Sequence, residues 1–293
     1  LVGERQIKLK ERVLLLGANG MFGRDAQVHL ENCGYDVISA DIPEVDITEE
    51  KSLERIFSLY KPDIVINAAA FTNVDGAEKN REEAFKVNAF GAMNVASFCR
   101  KVGAFLVHIS TDYVFPGTKE EGYLPYDETG PSVNYYGETK LFGEREIVKN
   151  LPKEKFLICR TQWLYGKYRK NFVKTIFNLS KEKDEIEVIN DQWGVPTWTK
   201  DLAEQISYLL ENNYSGFAHT VGGGGPITWF QFAKDIVEMT GSKCKISPIT
   251  SEKLKRDAKR PKYGFLRNDS IPVDKIRDYK ESLKMYLKEE SFL

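Results

Sequence analysis

Charge of one sign is missing from this chain of 293 residues: lysine plus arginine number 42 and aspartate plus glutamate 43, a net charge near −1. No broad field exists to draw in nucleic acid or an anionic membrane, and neither partner is expected. Long apolar runs are missing too. No stretch nears the roughly 20 residues that a membrane-spanning helix needs. The opening, LVGERQIKLKER, is too charged for the apolar region of a signal peptide, so a cytoplasmic protein is expected. Histidine is scarce: His29, His108 and His219 share no metal-ligand spacing. Neither a zinc site nor a Ser-His-Asp triad is expected from them. Cys33, Cys99, Cys159 and Cys244 are scattered and contain no CxxC pair, so reduced, mostly buried thiols are expected. Asp25 and nearby acids read as scattered surface carboxylates, and no metal site is assigned to them.

What is present is a rhythm. Short apolar runs at 12–17, 35–41, 63–70, 104–110 and 156–161 read as buried strands. Between them, helical spacing runs over 21–33, 52–60, 82–102 and 134–148. This alternation predicts an α/β fold, a doubly wound parallel Rossmann sheet with ligands outside the carboxyl ends of its strands. Beyond Trp163 the spacing gives helices over 171–183, 199–211 and 228–240, the second of them opened by Thr199 as a cap. A strand is read over 186–190, and FAHT ends in four glycines that suit a tight loop. Residues 11–165 with 185–222 are assigned to a dinucleotide-binding domain. A smaller interleaved substrate lobe is assigned to 166–184 with 223–275, and a C-terminal helix to 276–293.

Three motifs carry chemistry. GANGMFG places Gly17, Gly20 and Gly23 between an apolar strand and a helix. Glycine there permits the tight turn and the close approach of a pyrophosphate, and the helix N-terminus supplies N–H donors. Asp41, at the end of the next strand, can bind the adenosine ribose, whereas Arg24 can instead take a 2′-phosphate. NADH and NADPH are therefore both open. In YGETK, Tyr136 and Lys140 stand four residues apart on one helical face. A nearby ammonium lowers a phenol's pKa, so Tyr136 can exchange a proton with a carbonyl oxygen. Ser110 and Thr111 place hydroxyls at a strand's carboxyl end, where one can orient that oxygen.

These motifs together resemble the extended short-chain dehydrogenase/reductase family, and within it the dTDP-4-dehydrorhamnose reductases. GANGMFGR, NAAAFTNVDGAE, VNAFGAMNVA, STDYVFPG, YYGETKLFGE, RTQWLYG, NFVKT, VINDQWGVPT and KRPKYGFLRN are similar to family segments in the family's order, from about Arg12 to Arg267. The resemblance implies NAD(P)H-dependent reduction of the C4 ketone of dTDP-4-dehydro-β-L-rhamnose. It implies catalytic roles for Thr111, Tyr136 and Lys140, with Lys140 also on the nicotinamide ribose. It implies cofactor contacts at Gly20, Met21 and Phe22, at Asp41, Asp46 and Ile47, and at Ala70, Phe71 and Thr72. Sugar-nucleotide contacts are implied at Thr111, Asp112, Tyr136 and Trp163, and Arg260 is added as a cation for the diphosphate. Gln162 departs from the family's Ser or Ala, Phe71 from its His, and Trp193 from a smaller or different aromatic residue. Trp193 and Trp198 are read as packing residues. The alternatives are a non-catalytic, dinucleotide-binding regulatory subunit of the methionine adenosyltransferase type, or another nucleotide-sugar 4-ketoreductase or epimerase. A monomer or a homodimer fits equally.

Overall fold

The computed structural model describes residues 11–293, so most of the charged opening lies outside the described residues. The first half alternates strand and helix: β1 (Arg12–Leu16), α1 (Met21–Asn32), β2 (Asp36–Ala40), α2 (Glu50–Tyr60) and β3 (Ile64–Asn67). There follow α3 (Val74–Lys79), α4 (Arg81–Phe85), α5 (Ala92–Val102), β4 (Phe105–Thr111), α6 (Tyr135–Asn150) and β5 (Phe156–Thr161). Next come β6 (Leu164–Tyr165), α7 (Phe172–Glu182), β7 (Glu185–Ile189), β8 (Trp193–Gly194), β9 (Thr197–Trp198) and α8 (Thr199–Glu211). The chain ends with β10 (Gly216–His219), β11 (Ile227–Thr228), α9 (Trp229–Met239), β12 (Lys245–Ile249) and α10 (Tyr279–Glu289).

Six parallel strands form the main sheet in the order β10-β5-β4-β3-β1-β2. From β1 the chain moves outward to β2, then returns to the other side of β1 as β3. That reversal opens a crevice beyond the carboxyl ends of β1 and β3, where the glycine loop lies. The strands are apolar throughout because both faces are covered. Leu14, Leu16, Val65, Leu106 and Ile158 pack with residues of α2 and α5. Their neighbours in sequence, Val13, Leu15, Ile66, Val107 and Leu157, face α1 and α8. Side chains of period two thus fill two cores from one sheet. Each such buried side chain contributes roughly 1.5–3 kcal/mol.

Four local expectations are corrected. The helix expected over 82–102 is interrupted by a π turn at Lys86–Gly91. There Gly91 lies so close to Ile47 that an added Cβ would sit 2.6 Å from its side chain. Helical periodicity does not distinguish this turn from α-helix, because both present apolar faces at similar spacing. Thr199 is no cap: Trp198 holds that position, and the Thr199 hydroxyl donates to the Asp25 carboxylate. Asp25 is therefore 5% exposed rather than a surface acid. Strand β7, assigned with the first domain, pairs instead with β12 outside the main sheet.

Strands β7 and β12, with α7, α9 and α10, surround a third core that includes Tyr165, Trp198, Phe232 and Tyr286. Trp198 packs there as expected, whereas Trp193 is 38% exposed and does not serve as packing. A smaller apolar cluster of Phe115, Tyr123, Leu141, Val195, Val221 and Phe265 joins the two halves. Among the described residues, no helix is long and apolar enough to cross a membrane.

Candidate active site

The glycine loop is built for close approach. Gly17 has φ +81°, and a Cβ there would meet the Ala69 nitrogen at 2.6 Å. A Cβ on Gly23 would meet the Gly17 oxygen at 2.3 Å, so the helix starts tight against the loop. Gly20 caps α1 with no side-chain hydrogen bond, leaving the first N–H groups directed out of the helix. Met21 follows at the helix start, and Phe22 is buried in the core below.

Beside the loop lies a cavity of ≈ 510 Å³ lined by Asn19, Arg24, Asp41, Val45, Arg55 and Tyr60 among others. Both oxygens of Asp41 accept backbone N–H groups at 2.8 Å, one from Asn19 and one from Ile42. Asp46 folds its carboxylate onto Thr48, and Ile47 is buried beneath the π turn. On the other side, Ala70, Phe71 and Thr72 follow β3. Asn88 fixes them: its side chain bonds both the N–H and the C=O of Phe71, at 2.9 and 3.1 Å, and reaches the Thr139 hydroxyl at 3.0 Å. The π turn is what presents Asn88 there, a frequent use of such turns near functional sites. A tight turn, exposed helix donors and an adjacent cavity together fit a dinucleotide.

Helix α6 carries Tyr136 and Lys140. Asn134 caps it by accepting from the Gly137 N–H at 2.9 Å, and donates to the Lys259 carbonyl at 2.7 Å. Two glycines let the helix sink in. A Cβ on Gly137 would lie 2.3 Å from the Tyr113 oxygen, and one on Gly143 would lie 2.4 Å from the Asn88 oxygen. The helix thereby brings Tyr136 against Tyr113, edge to face at 5.6 Å, and beside the end of β4.

There Ser110 and Thr111 face opposite ways. Ser110 faces inward and donates to Glu144. Thr111, one residue on and so on the other face, donates to Asp112 at 3.0 Å. Asp112 is buried with no cation, and burial pushes its carboxyl up to about 7. Burial first, then the Asp112 charge, pushes the Tyr136 phenol above its ordinary range, while the Thr111 hydroxyl acts the other way. The expected lowering of Tyr136 by Lys140 is therefore corrected. The Lys140 ammonium position is 2% exposed and turned below the tyrosine, meeting the Ile109 carbonyl at 2.8 Å and His108 Nε2 at 3.2 Å. Burial lowers its pKa to about 8, against the opposing effect of Glu144.

The remaining substrate candidates line up along the junction of the two halves. Trp163 has φ +48° and stacks on Trp229 with centroids 3.6 Å apart. A Cβ on Gly194 would collide with the Trp163 ring, so that glycine gives the indole its space. Arg260 is spent on a partner: its fork holds both Asp75 oxygens, at 2.6 and 2.7 Å. Gln162 is buried 3% exposed rather than lining an opening, with its amide between Val195, Gly264 and Leu266.

Sequence reasoning missed the supports: Asn67, Asn88, His108, Glu144 and Arg160. A signal existed for His108 and, through Ser110, for Glu144. Alternation along β4 puts His108 and Ser110 on the same face as buried Leu106, and a polar side chain on a buried face needs a partner. The partners themselves lie 32 and 34 residues further on in α6 and are not readable from spacing.

Strand order, glycine cradle and a threonine, tyrosine and lysine gathered at strand ends define an NAD(P)-dependent oxidoreductase of the short-chain dehydrogenase/reductase class. Residues 11–292 match the family described as the RmlD substrate binding domain. The chain is similar to a dTDP-4-dehydrorhamnose reductase from Clostridium acetobutylicum ATCC 824, at 41% identity and TM-score 0.91 over 96% of this chain and 99% of that one. It is similar to the dTDP-4-dehydrorhamnose reductase of Bacillus anthracis str. Ames solved in complex with NADP, at 39% identity and TM-score 0.91 over 96% and 100%. It is also 38% identical to the spore coat polysaccharide biosynthesis protein SpsK of Bacillus subtilis (strain 168), over 96% of this chain and 98% of that one. The chain belongs to the family of dTDP-4-dehydrorhamnose reductases.

Proposed function

We propose that this protein reduces the C4 ketone of dTDP-4-dehydro-β-L-rhamnose to dTDP-L-rhamnose at the expense of NADPH or NADH. Relatives named for that activity, one of them solved with NADP, support the reading. The observation that carries it is the meeting of Thr111 and Asp112, at the end of β4, with Tyr136 of the helix that also holds Lys140, all buried.

Gly17, Gly20, Met21, Phe22 and Gly23 are assigned to the diphosphate. Asp41, Asp46 and Ile47 are assigned to the adenosine end, and Ala70, Phe71 and Thr72 to the stretch towards the nicotinamide. When bound, the dinucleotide supplies hydride to C4. Thr111 holds the ketone oxygen, and Tyr136 gives that oxygen its proton. The raised pKa of Tyr136 keeps it protonated before the reaction, as an acid must be. Lys140 is assigned to the nicotinamide ribose and to offsetting the charge left on Tyr136. Trp163 offers an indole surface backed by Trp229, and Asp112 is assigned to the sugar hydroxyls. Arg260 takes the diphosphate only by giving up Asp75.

The adenosine cavity favours NADPH. Asp41 has committed both oxygens to backbone N–H groups, while Arg24 and Arg55 line the same space. The test is a coupled absorbance assay with the keto sugar generated in situ and NADPH or NADH in separate cells. Sugar-dependent oxidation yielding dTDP-L-rhamnose is expected. NADPH binding without sugar-dependent oxidation would overturn the reading.

A further inference from the structure

Beneath the site runs a buried line of polar groups. Asn67 ends β3, and its Oδ1 accepts the Ala69 N–H at 3.2 Å. That fixes which end of the amide faces His108: Nδ2 stands 3.3 Å from His108 Nδ1. An amide NH₂ only donates, so Nδ1 must accept. A neutral imidazole then carries its hydrogen on Nε2. His108 is 1% exposed and kept neutral, since burial above all drives its pKa well below the usual value. Its Nε2–H points at Lys140 Nζ, 3.2 Å away. An ammonium has no lone pair to accept that hydrogen, whereas a neutral amine has one and can still donate to the Ile109 carbonyl at 2.8 Å.

We propose that Asn67 and His108 are positioning residues for Lys140: they lock the imidazole in the Nε2–H form, anchor the lysine below Tyr136, and weaken its hold on its proton. The proposal rests on the assignment of Lys140 to the reaction and adds a control over its charge. Protonating Lys140 requires the imidazole hydrogen to move to Nδ1, against the Asn67 amide, or the amide to flip against the Ala69 N–H. Either costs a hydrogen bond in a buried place. The groups facing Lys140 are His108 and the Ile109 carbonyl from β4, and Tyr136 and Glu144 from its own helix, with Glu144 held by Arg160 of β5 and by Ser110. Glu144 favours the charged lysine, so the two neighbours oppose one another, and the lowered pKa of Lys140 shows burial outweighing Glu144.

The chain has three histidines, so ¹⁵N-histidine labelling reads the tautomer directly, with the His108 signal assigned by its loss in His108→Gln. The Nε2–H form is expected at pH 7 in the purified full chain. An Nδ1–H form or an imidazolium would overturn the proposal. In Asn67→Leu the imidazole is released, the Nδ1–H form gains, and Nε2 can accept from an ammonium. The alkaline limb of the kcat profile for ketone reduction should then move up by about half a pH unit or more. His108→Gln, whose amide can turn its oxygen to the lysine, should move it the same way if Asn67→Leu does not fold. A uniform loss of kcat with an unmoved limb marks a merely structural role and overturns the control of charge. The tautomer readout needs no sugar nucleotide, so a failure of the reductase reading is seen separately.

Discussion

Glu144 and Asp112 are buried alike, at 2% and 3% exposed, and both lean on the end of β4. Glu144 is gripped from β5: Arg160 Nε and Nη2 meet its two oxygens at 3.0 and 2.6 Å, and Ser110 adds a third donor. The third arm of Arg160 is held by the Pro125 carbonyl at 2.9 Å. Asp112 has the Thr111 hydroxyl and backbone groups, with no cation, and its pKa rises to about 7. The two carboxylates mark two regions. Behind β4 the charges are neutralised within the fold and fix the helix that carries Tyr136 and Lys140. In front of β4 the Asp112 carboxyl has no cation among the described residues, which is where a ligand has work to do.

The largest expected effect lies in front. Tyr136→Phe removes the proposed proton donor without changing the packing of the ring. Turnover should fall about 10²–10⁴-fold with NADPH affinity held within about twofold. Steady-state kinetics and cofactor fluorescence titration measure the two. A variant that keeps full turnover would move proton transfer to another group. Next comes the region behind. Arg160→Met leaves Glu144 buried and uncompensated, at a cost of about 3–5 kcal/mol in urea unfolding. Replacing both, Glu144→Leu with Arg160→Met, should restore most of that loss. A single-variant loss below about 1 kcal/mol would mean that Glu144 is not held in the way its contacts indicate.

The same contrast explains what the sequence could reveal. The parallel strands were legible because burial on both faces makes them apolar without a break, as in Val13 to Leu16. Gly17, Gly23 and Tyr136 with Lys140 were legible because local spacing alone brings them together. The orientation of Lys140 was not. It depends on His108 and Ile109 in β4, which reach it through the sheet. The partner of Arg260 was equally hidden, since Asp75 lies 185 residues earlier. Thr199 shows the same limit on a smaller scale: its type suits a cap, but Asp25, 174 residues away, claims its hydroxyl. Local rules give the site's parts, and long-range polar contacts decide which way each part points.

Asp112 sharpens the comparison through pH. Its folded pKa is raised, so the folded state favours the protonated carboxyl. The stability that this contributes is fully present below the unfolded value near 4 and is lost as pH rises to about 7. Asp112→Asn has no charge to bury. Its thermal midpoint should match the wild type near pH 5 and exceed it at pH 8, by the equivalent of ~1–3 kcal/mol. An unchanged difference between those two pH values would remove the electrostatic contrast with Glu144.

The smallest effect tests whether the contrast extends to the adenosine end. Asp41 there resembles Glu144, since both of its oxygens are already bonded, to the N–H groups of Asn19 and Ile42. Arg24 resembles Asp112: it makes one side-chain hydrogen bond, to Asn19 Oδ1 at 3.2 Å, and stands 5.4 Å from the Tyr168 ring, with no carboxylate on its guanidinium among the described residues. A dianionic 2′-phosphate would give that guanidinium the partner it lacks, whereas a ribose hydroxyl would not. Arg24→Ala should therefore weaken NADPH about tenfold, some 1.4 kcal/mol, and leave NADH within about twofold. Titrating both dinucleotides by fluorescence separates the outcomes. Equal weakening of the two would assign Arg24 to the shared diphosphate. No weakening of either would leave Arg55, on the same cavity wall, as the candidate for the phosphate.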